Sequence, residues 1–117
     1  MKSNPLHYHG SMENASLSQI AAALNGIPLL PDPPANAGDE LYYETDQFDL
    51  FFELGAYSGV ADRYRVLLSG MATDGQDQVI PLLQEMALRF RQAGIDTRIE
   101  YYEEHPDGPE FEESISL

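Results

Sequence analysis

The stretch Asp77-Gln-Val-Ile-Pro-Leu-Leu-Gln-Glu-Met-Ala-Leu-Arg-Phe-Arg-Gln-Ala-Gly-Ile-Asp-Thr-Arg-Ile-Glu-Tyr-Tyr-Glu103 decides the fold of this chain. Val79, Leu83, Met86 and Phe90 follow the i, i+4, i+7, i+11 spacing of one apolar helix stripe, which predicts an α-helix over residues 77–93. Proline is tolerated only near a helix start, so the helix should begin close to Pro81, with Thr73, Asp74 or Asp77 as cap. Gly94 closes it, and Ile95 folds back on the last turn as the apolar partner of a glycine C-cap. From Thr97 to Glu103 the period changes to two. Ile99 and Tyr101 alternate with Arg98, Glu100 and Tyr102, the pattern of a half-buried strand.

Working outward, Leu41-Tyr-Tyr-Glu-Thr-Asp-Gln-Phe-Asp-Leu-Phe-Phe-Glu-Leu54 is also strand-like. Phe48, Leu50, Phe52 and Leu54 share one face and Asp49, Phe51 and Glu53 the other, with Thr45-Asp46-Gln47 as a break. Tyr64, Val66 and Leu68 alternate with Arg63, Arg65 and Leu67 in a further strand. A hairpin of these two segments would set Arg63 and Arg65 against Asp49 and Glu53. Toward the N-terminus, Leu6, Tyr8 and Gly10 alternate with His7, His9 and Ser11. A helix then follows, capped by Asn14 or Ser16, carrying Leu17, Ile20, Ala21 and Leu24 on one stripe and ended by Asn25-Gly26. Residues 27–39 contain Pro28, Pro31, Pro33 and Pro34, and read as an extended surface loop that is neither helix nor central strand. Residues 105–117 read as an acidic C-terminal tail, docked through Phe111 and Ile115.

The order strand, helix, strand, strand, helix, strand gives an α+β class, matching a ferredoxin-like plait: a four-stranded antiparallel sheet with two helices on one face. A chain of 117 residues forms a single domain over 1–117 and buries a core without staples. There is no cysteine, so disulfides, thiol catalysis and thiolate metal sites are excluded. No secretory leader pattern is read at the N-terminus and no apolar run approaches a membrane span, so a cytoplasmic protein is expected.

Charge is the strongest functional signal. The formal net charge is −14, with 20 acidic residues against 6 basic ones. Asp39, Glu40, Glu44, Asp46, Asp49 and Glu53 fill one stretch; Glu100, Glu103, Glu104, Asp107, Glu110, Glu112 and Glu113 fill another; neither contains lysine or arginine. Such a field repels nucleic acid and anionic lipid and steers basic proteins inward. Disorder is the bland reading of strong acidity, but 43% hydrophobic residues with 7 tyrosines and 5 phenylalanines require a folded core.

Few residue patterns point to chemistry. His7 and His9 share one strand face about 7 Å apart, close enough to share a metal, and in the plait they would look onto the uncovered sheet face near Arg65, Glu100 and Tyr102. A tetrahedral site needs two further ligands, so two solvent-facing histidines are the preferred reading and no cofactor is expected. Asp74-Gly75-Gln76-Asp77 lacks the spacing of a calcium loop and fits helix capping. No nucleophile elbow and no phosphate loop is present, so the chain is not read as an enzyme.

The acidic strand segment Leu41–Leu54 and the acidic aromatic end Glu100-Tyr-Tyr-Glu-Glu-His105 give the chain a class-level likeness. It resembles the small, acidic, cysteine-free immunity proteins (antitoxins) that bacteria co-produce with interbacterial toxins. The resemblance implies a one-to-one complex that plugs the active site of a basic toxin domain, with carboxylates standing in for substrate phosphates. Tyr43, Glu44, Asp46, Asp49, Glu53, Glu100, Tyr102, Glu103 and Glu104 are the expected contact residues. Two alternatives belong to other classes: a phage-type acidic nucleic-acid mimic inhibiting a DNA-binding enzyme, and a metal- or small-molecule-binding domain using His7 and His9.

Overall fold

The structure, a computed structural model, describes residues 5–30, 35–36, 40–57, 59, 63–74, 76–103 and 115–116. The elements run β1 Leu6–Ala15, α1 Leu17–Leu24, β2 Ala35–Asn36, β3 Glu40–Glu44, β4 Asp49–Tyr57, β5 Tyr64–Ala72, α2 Gln76–Gln92, β6 Asp96–Glu103 and β7 Ile115–Ser116. The strands form one antiparallel sheet in the order β2-β3-β4-β5-β1-β6-β7. Five strands are of substantial length, and β2 and β7 add two residues each at the margins.

The expected four-stranded sheet is therefore too small. Residues 40–54 supply two strands, split at the break read at Thr45-Asp46-Gln47, because Thr45 turns the chain. Its Oγ1 accepts hydrogen bonds from the amides of Gln47 at 3.2 Å and Phe48 at 3.1 Å, and its own amide donates to the Phe48 carbonyl at 2.9 Å. The sheet also reaches into the proline-rich loop, where Ala35 and Asn36 pair with Tyr42 and Leu41. Of the predicted tail, Ile115 and Ser116 pair with Tyr101 and Glu100, while Phe111 and Glu104 lie outside the described residues.

β1 is longer than its alternating start suggested and occupies the middle of the sheet between β5 and β6. Its register against β5 shifts between Met12 and Ala15, where Asn14 takes a left-handed φ of 56°. One extra residue is accommodated there as a bulge. Ser16 then caps α1: its hydroxyl accepts from the Gln19 amide at 3.3 Å, and the Gln19 side chain accepts from the Ser16 amide at 3.1 Å. A cap of this reciprocal kind contributes about 1 kcal/mol.

Helix α2 begins at Gln76, so Pro81 sits inside it rather than at its first turn. Its far end follows the glycine logic closely. Gly94 adopts φ of 83°, and the Ile95 amide reaches back to the Phe90 carbonyl at 2.9 Å. Val79, Leu83, Met86 and Phe90 are all at most 1% exposed. They pack with Ile20 and Leu24 of α1 against Leu6, Tyr8, Met12, Leu41, Tyr43, Leu50, Phe52, Val66, Leu68 and Ile99. Each large side chain removed from water in this way is worth roughly 1.5–3 kcal/mol. The Phe90 ring meets Phe52 edge-on at 6.3 Å, tying α2 to β4 across the core.

Both helices thus cover one face of the sheet. The alternate residues of every long strand, from Glu40 on β3 to Tyr102 on β6, form a second face that neither of the described helices covers. The predicted pairing of Arg63 and Arg65 with Asp49 and Glu53 does not occur there. The β4–β5 register puts Glu53 opposite Leu67 and Phe51 opposite Ser69, and Arg65 instead bonds Glu13 of β1 at 2.7 Å.

Candidate functional site

On the open face the β3–β4 hairpin juxtaposes like charges. Glu40 stands directly opposite Glu53 and Glu44 directly opposite Asp49, with Tyr42 opposite Phe51 between them. The two rings meet at 5.8 Å and 66°, an edge-on contact. Glu44 and Glu53 are exposed, and Glu40, Tyr42, Asp49 and Phe51 are half-buried. Like charges directly opposite across a strand pair are destabilising, so the hairpin carries two unfavourable pairs around one favourable aromatic pair.

Six basic residues cannot neutralise 20 acidic ones. The ion pairs resolved among the described residues are Arg65 with Glu13 and Arg89 with Glu85 at 3.3 Å, and the His9 ring lies 3.6 Å from the Glu100 carboxylate. None involves β3 or β4. Glu44 accepts a hydrogen bond from the Tyr42 hydroxyl at 2.6 Å, and Asp49 accepts one from the Met71 amide at 3.1 Å.

The bond to Glu44 pushes the Tyr42 pKa from 10.0 up to about 12, because ionising the phenol would place a second negative charge on a carboxylate acceptor. In the unfolded chain Tyr42 loses its proton first, so folding stability falls as pH rises from about 10 to about 12. Replacing Tyr42 with phenylalanine is expected to remove this part of the alkaline loss. Comparing chemical denaturation of the two proteins across that interval checks it.

The expected contact residues divide. Glu44, Asp49, Glu53, Glu100 and Tyr102 all lie on the open face, although Asp49 and Glu100 are three strands apart, about 14 Å. Asp46 is exposed in the turn between β3 and β4. Tyr43 is corrected: it is 3% exposed in the core and packs edge-on against Phe52 at 6.2 Å. Glu103 is exposed but has the parity of Ile99 and Tyr101, so it belongs to the opposite side of β6. Glu104 lies outside the described residues.

The expected contact set leaves out Glu40, Tyr42 and Phe51, although the sequence shows Glu40 within the acidic stretch and Tyr42 and Phe51 as aromatics beside it. The signal was available in alternation: Leu41 and Tyr43 share the parity of the core, which turns Glu40, Tyr42 and Glu44 outward together.

His7 and His9 share this face, as their spacing implied. The His7 ring stacks on Tyr102 at 5.2 Å and 16°, and His9 approaches Glu100. Among the described residues no three histidine, aspartate or glutamate side chains converge on a point where a metal could be held. No helix of the described residues is long and apolar enough to cross a membrane. Comparison of this chain with known protein families, with curated proteins and with solved structures finds no match.

Proposed function

We propose that the open sheet face is a docking surface for a cationic protein, and that the chain acts as an immunity-type inhibitor of a basic toxin domain in the cytoplasm. The observation that supports this most is the β3–β4 hairpin, where Glu40 faces Glu53 and Glu44 faces Asp49 around Tyr42 and Phe51. Folding tolerates that repulsion at a cost, and a partner's lysines or arginines would turn it into attraction. Tyr42 and Phe51 offer the apolar centre that a ring of charge needs in order to exclude water. In this reading the contact set is Glu40, Tyr42, Glu44, Asp46, Phe51 and Glu53, with Glu100 and Tyr102 at the far side.

The nucleic-acid mimic is less favoured by the same face. A mimic needs negative charge spaced like phosphates along an uninterrupted line. Here the acidic pairs are separated by an aromatic pair, and Arg65 and Arg98 occupy the same face two and four strands from β3. We also read β4-β5-β1-β6 with the two helices as a ferredoxin-like plait extended at one edge by β3, a reading that assigns no activity of its own.

The test is co-expression with the product of the neighbouring gene in the chain's own genome. A basic protein that co-elutes one-to-one, and is lost when Glu40, Glu44 and Glu53 are all changed to glutamine, is the expected result. An acidic product, separate elution, or retention by the triple glutamine variant overturns the reading.

A further inference from the structure

A second, chemically different group of side chains lies on the open face, away from the acidic hairpin. Ser11 and Glu13 of β1, Arg65 of β5, and Asp96 and Arg98 of β6 line a cavity of about 420 Å³. That volume lies within the roughly 300–1,000 Å³ range of small-molecule sites. It gathers two of the chain's 6 basic residues in one place, each beside an acid.

The register explains the grouping. Ser11 pairs with Arg98 and Glu13 with Asp96, so the four side chains form two adjacent rows on the same face. The β1 bulge between Met12 and Ala15 sets Glu13 against Arg65, and these two neutralise each other through the 2.7 Å bond. Asp96 and Arg98 are exposed, and no side-chain hydrogen bond or ion pair engages either among the described residues. What remains after internal pairing is therefore one carboxylate, one guanidinium and the Ser11 hydroxyl.

A simple anion would meet Asp96 and Glu13, and a simple cation would meet Arg98 and Arg65. A molecule bearing both charges satisfies both ends. Asp96 and Arg98 are alternate residues of one strand face, so their stems stand about 7 Å apart, a gap that a single ammonium–carboxylate pair can bridge. Arginine also presents two parallel N–H donors matched to a carboxylate. Beside Ser11 on β5 is Leu67, an apolar side chain 37% exposed on this face.

We infer that this cavity binds an α-amino acid with an apolar side chain. Its carboxylate lies on Arg98 with help from the Ser11 hydroxyl, its ammonium lies on Asp96, and its side chain lies toward Leu67. This inference does not rest on the docking of a cationic protein at β3–β4, and either can fail without the other.

The experiment titrates the full chain with L-leucine while following backbone amide resonances, alongside L-leucinamide, which keeps only the cation, and isocaproate, which keeps only the anion. Saturable millimolar shifts centred on Ser11, Asp96 and Arg98 with L-leucine, and much weaker ones with both half-charged analogues, are the expected result. Asp96→Asn and Arg98→Gln should each weaken L-leucine binding by about tenfold or more. Glu85→Gln, which alters only the α2 ion pair, should leave it unchanged. Equal response to either analogue, unchanged binding in both cavity variants, or no saturable shift with L-leucine overturns the inference.

Discussion

Replacing Gly70 with alanine is expected to lower the unfolding free energy by about 3 kcal/mol, the upper part of the range for overpacking a closed core. Gly70 sits on β5 opposite Tyr8 of β1. A Cβ at that position would collide with the Tyr8 ring and with the Asp49 carbonyl of β4. Neither neighbour can withdraw cheaply. The Tyr8 side chain is 2% exposed and crosses β5 over the bare glycine so that its hydroxyl donates to that same carbonyl. With its carbonyl engaged by Tyr8, Asp49 offers its carboxylate to the Met71 amide instead, and the ladder between β4 and β5 is closed by side chains at this point. Burial and the nearby Asp49 charge raise the Tyr8 pKa well above its ordinary value, which keeps the phenol a donor throughout the accessible pH range.

The same geometry predicts non-additivity. Tyr8→Ala removes the ring that alanine at position 70 would strike, so the double variant should be less destabilised than the sum of the two single changes by about 1–2 kcal/mol. Urea unfolding of the four proteins measures this directly. A Gly70→Ala protein within about 0.5 kcal/mol of the parent would show that Tyr8 does not hold the three strands together as described.

Gly70 also shows where sequence reading stops. Periodicity locates elements, and here it placed α1, α2 and β6 within a residue or two because their apolar stripes are uninterrupted. Periodicity says nothing about which strand lies beside which. The bare backbone at Gly70 matters only because Tyr8 and Asp49 arrive there from strands far away in sequence. Pairing errors have the same origin: Arg65 was expected to meet Asp49 and Glu53, but its partner Glu13 is fixed by β1 entering the sheet between β5 and β6. The break at Thr45-Asp46-Gln47 and the two strands it allows were visible, but the hydroxyl accepting two amides that holds the turn was not. The acidity of the open face was legible from composition. Its arrangement as facing like-charged pairs was not, since that needs the register of β3 against β4.

The second large effect concerns that register. Changing Glu53 to lysine is expected to stabilise the fold and, under the docking proposed for this face, to weaken the binding of a cationic protein at the same time. Glu53 is exposed, no hydrogen bond or ion pair engages its side chain among the described residues, and its cross-strand neighbour is Glu40. The substitution converts a repulsive pair into an attractive one, worth about 0.5–1 kcal/mol. The gain should shrink at high salt, because both side chains reach solvent. Glu53 is the informative position: changing Asp49 would also strip the Met71 amide of its acceptor, and changing Glu44 would free the Tyr42 hydroxyl. Against a cationic partner the same lysine reverses the local field, and affinity should fall by about tenfold to a hundredfold, mainly through slower association at low salt. Stability gained where binding is lost is the mark of a residue kept for its partner and not for the fold. Thermal or urea unfolding supplies one half of the comparison and association kinetics with the basic partner the other. A Glu53→Lys protein that is less stable than the parent would contradict the register of the hairpin. One that is more stable yet binds the partner equally fast would remove the β3–β4 face from the interface.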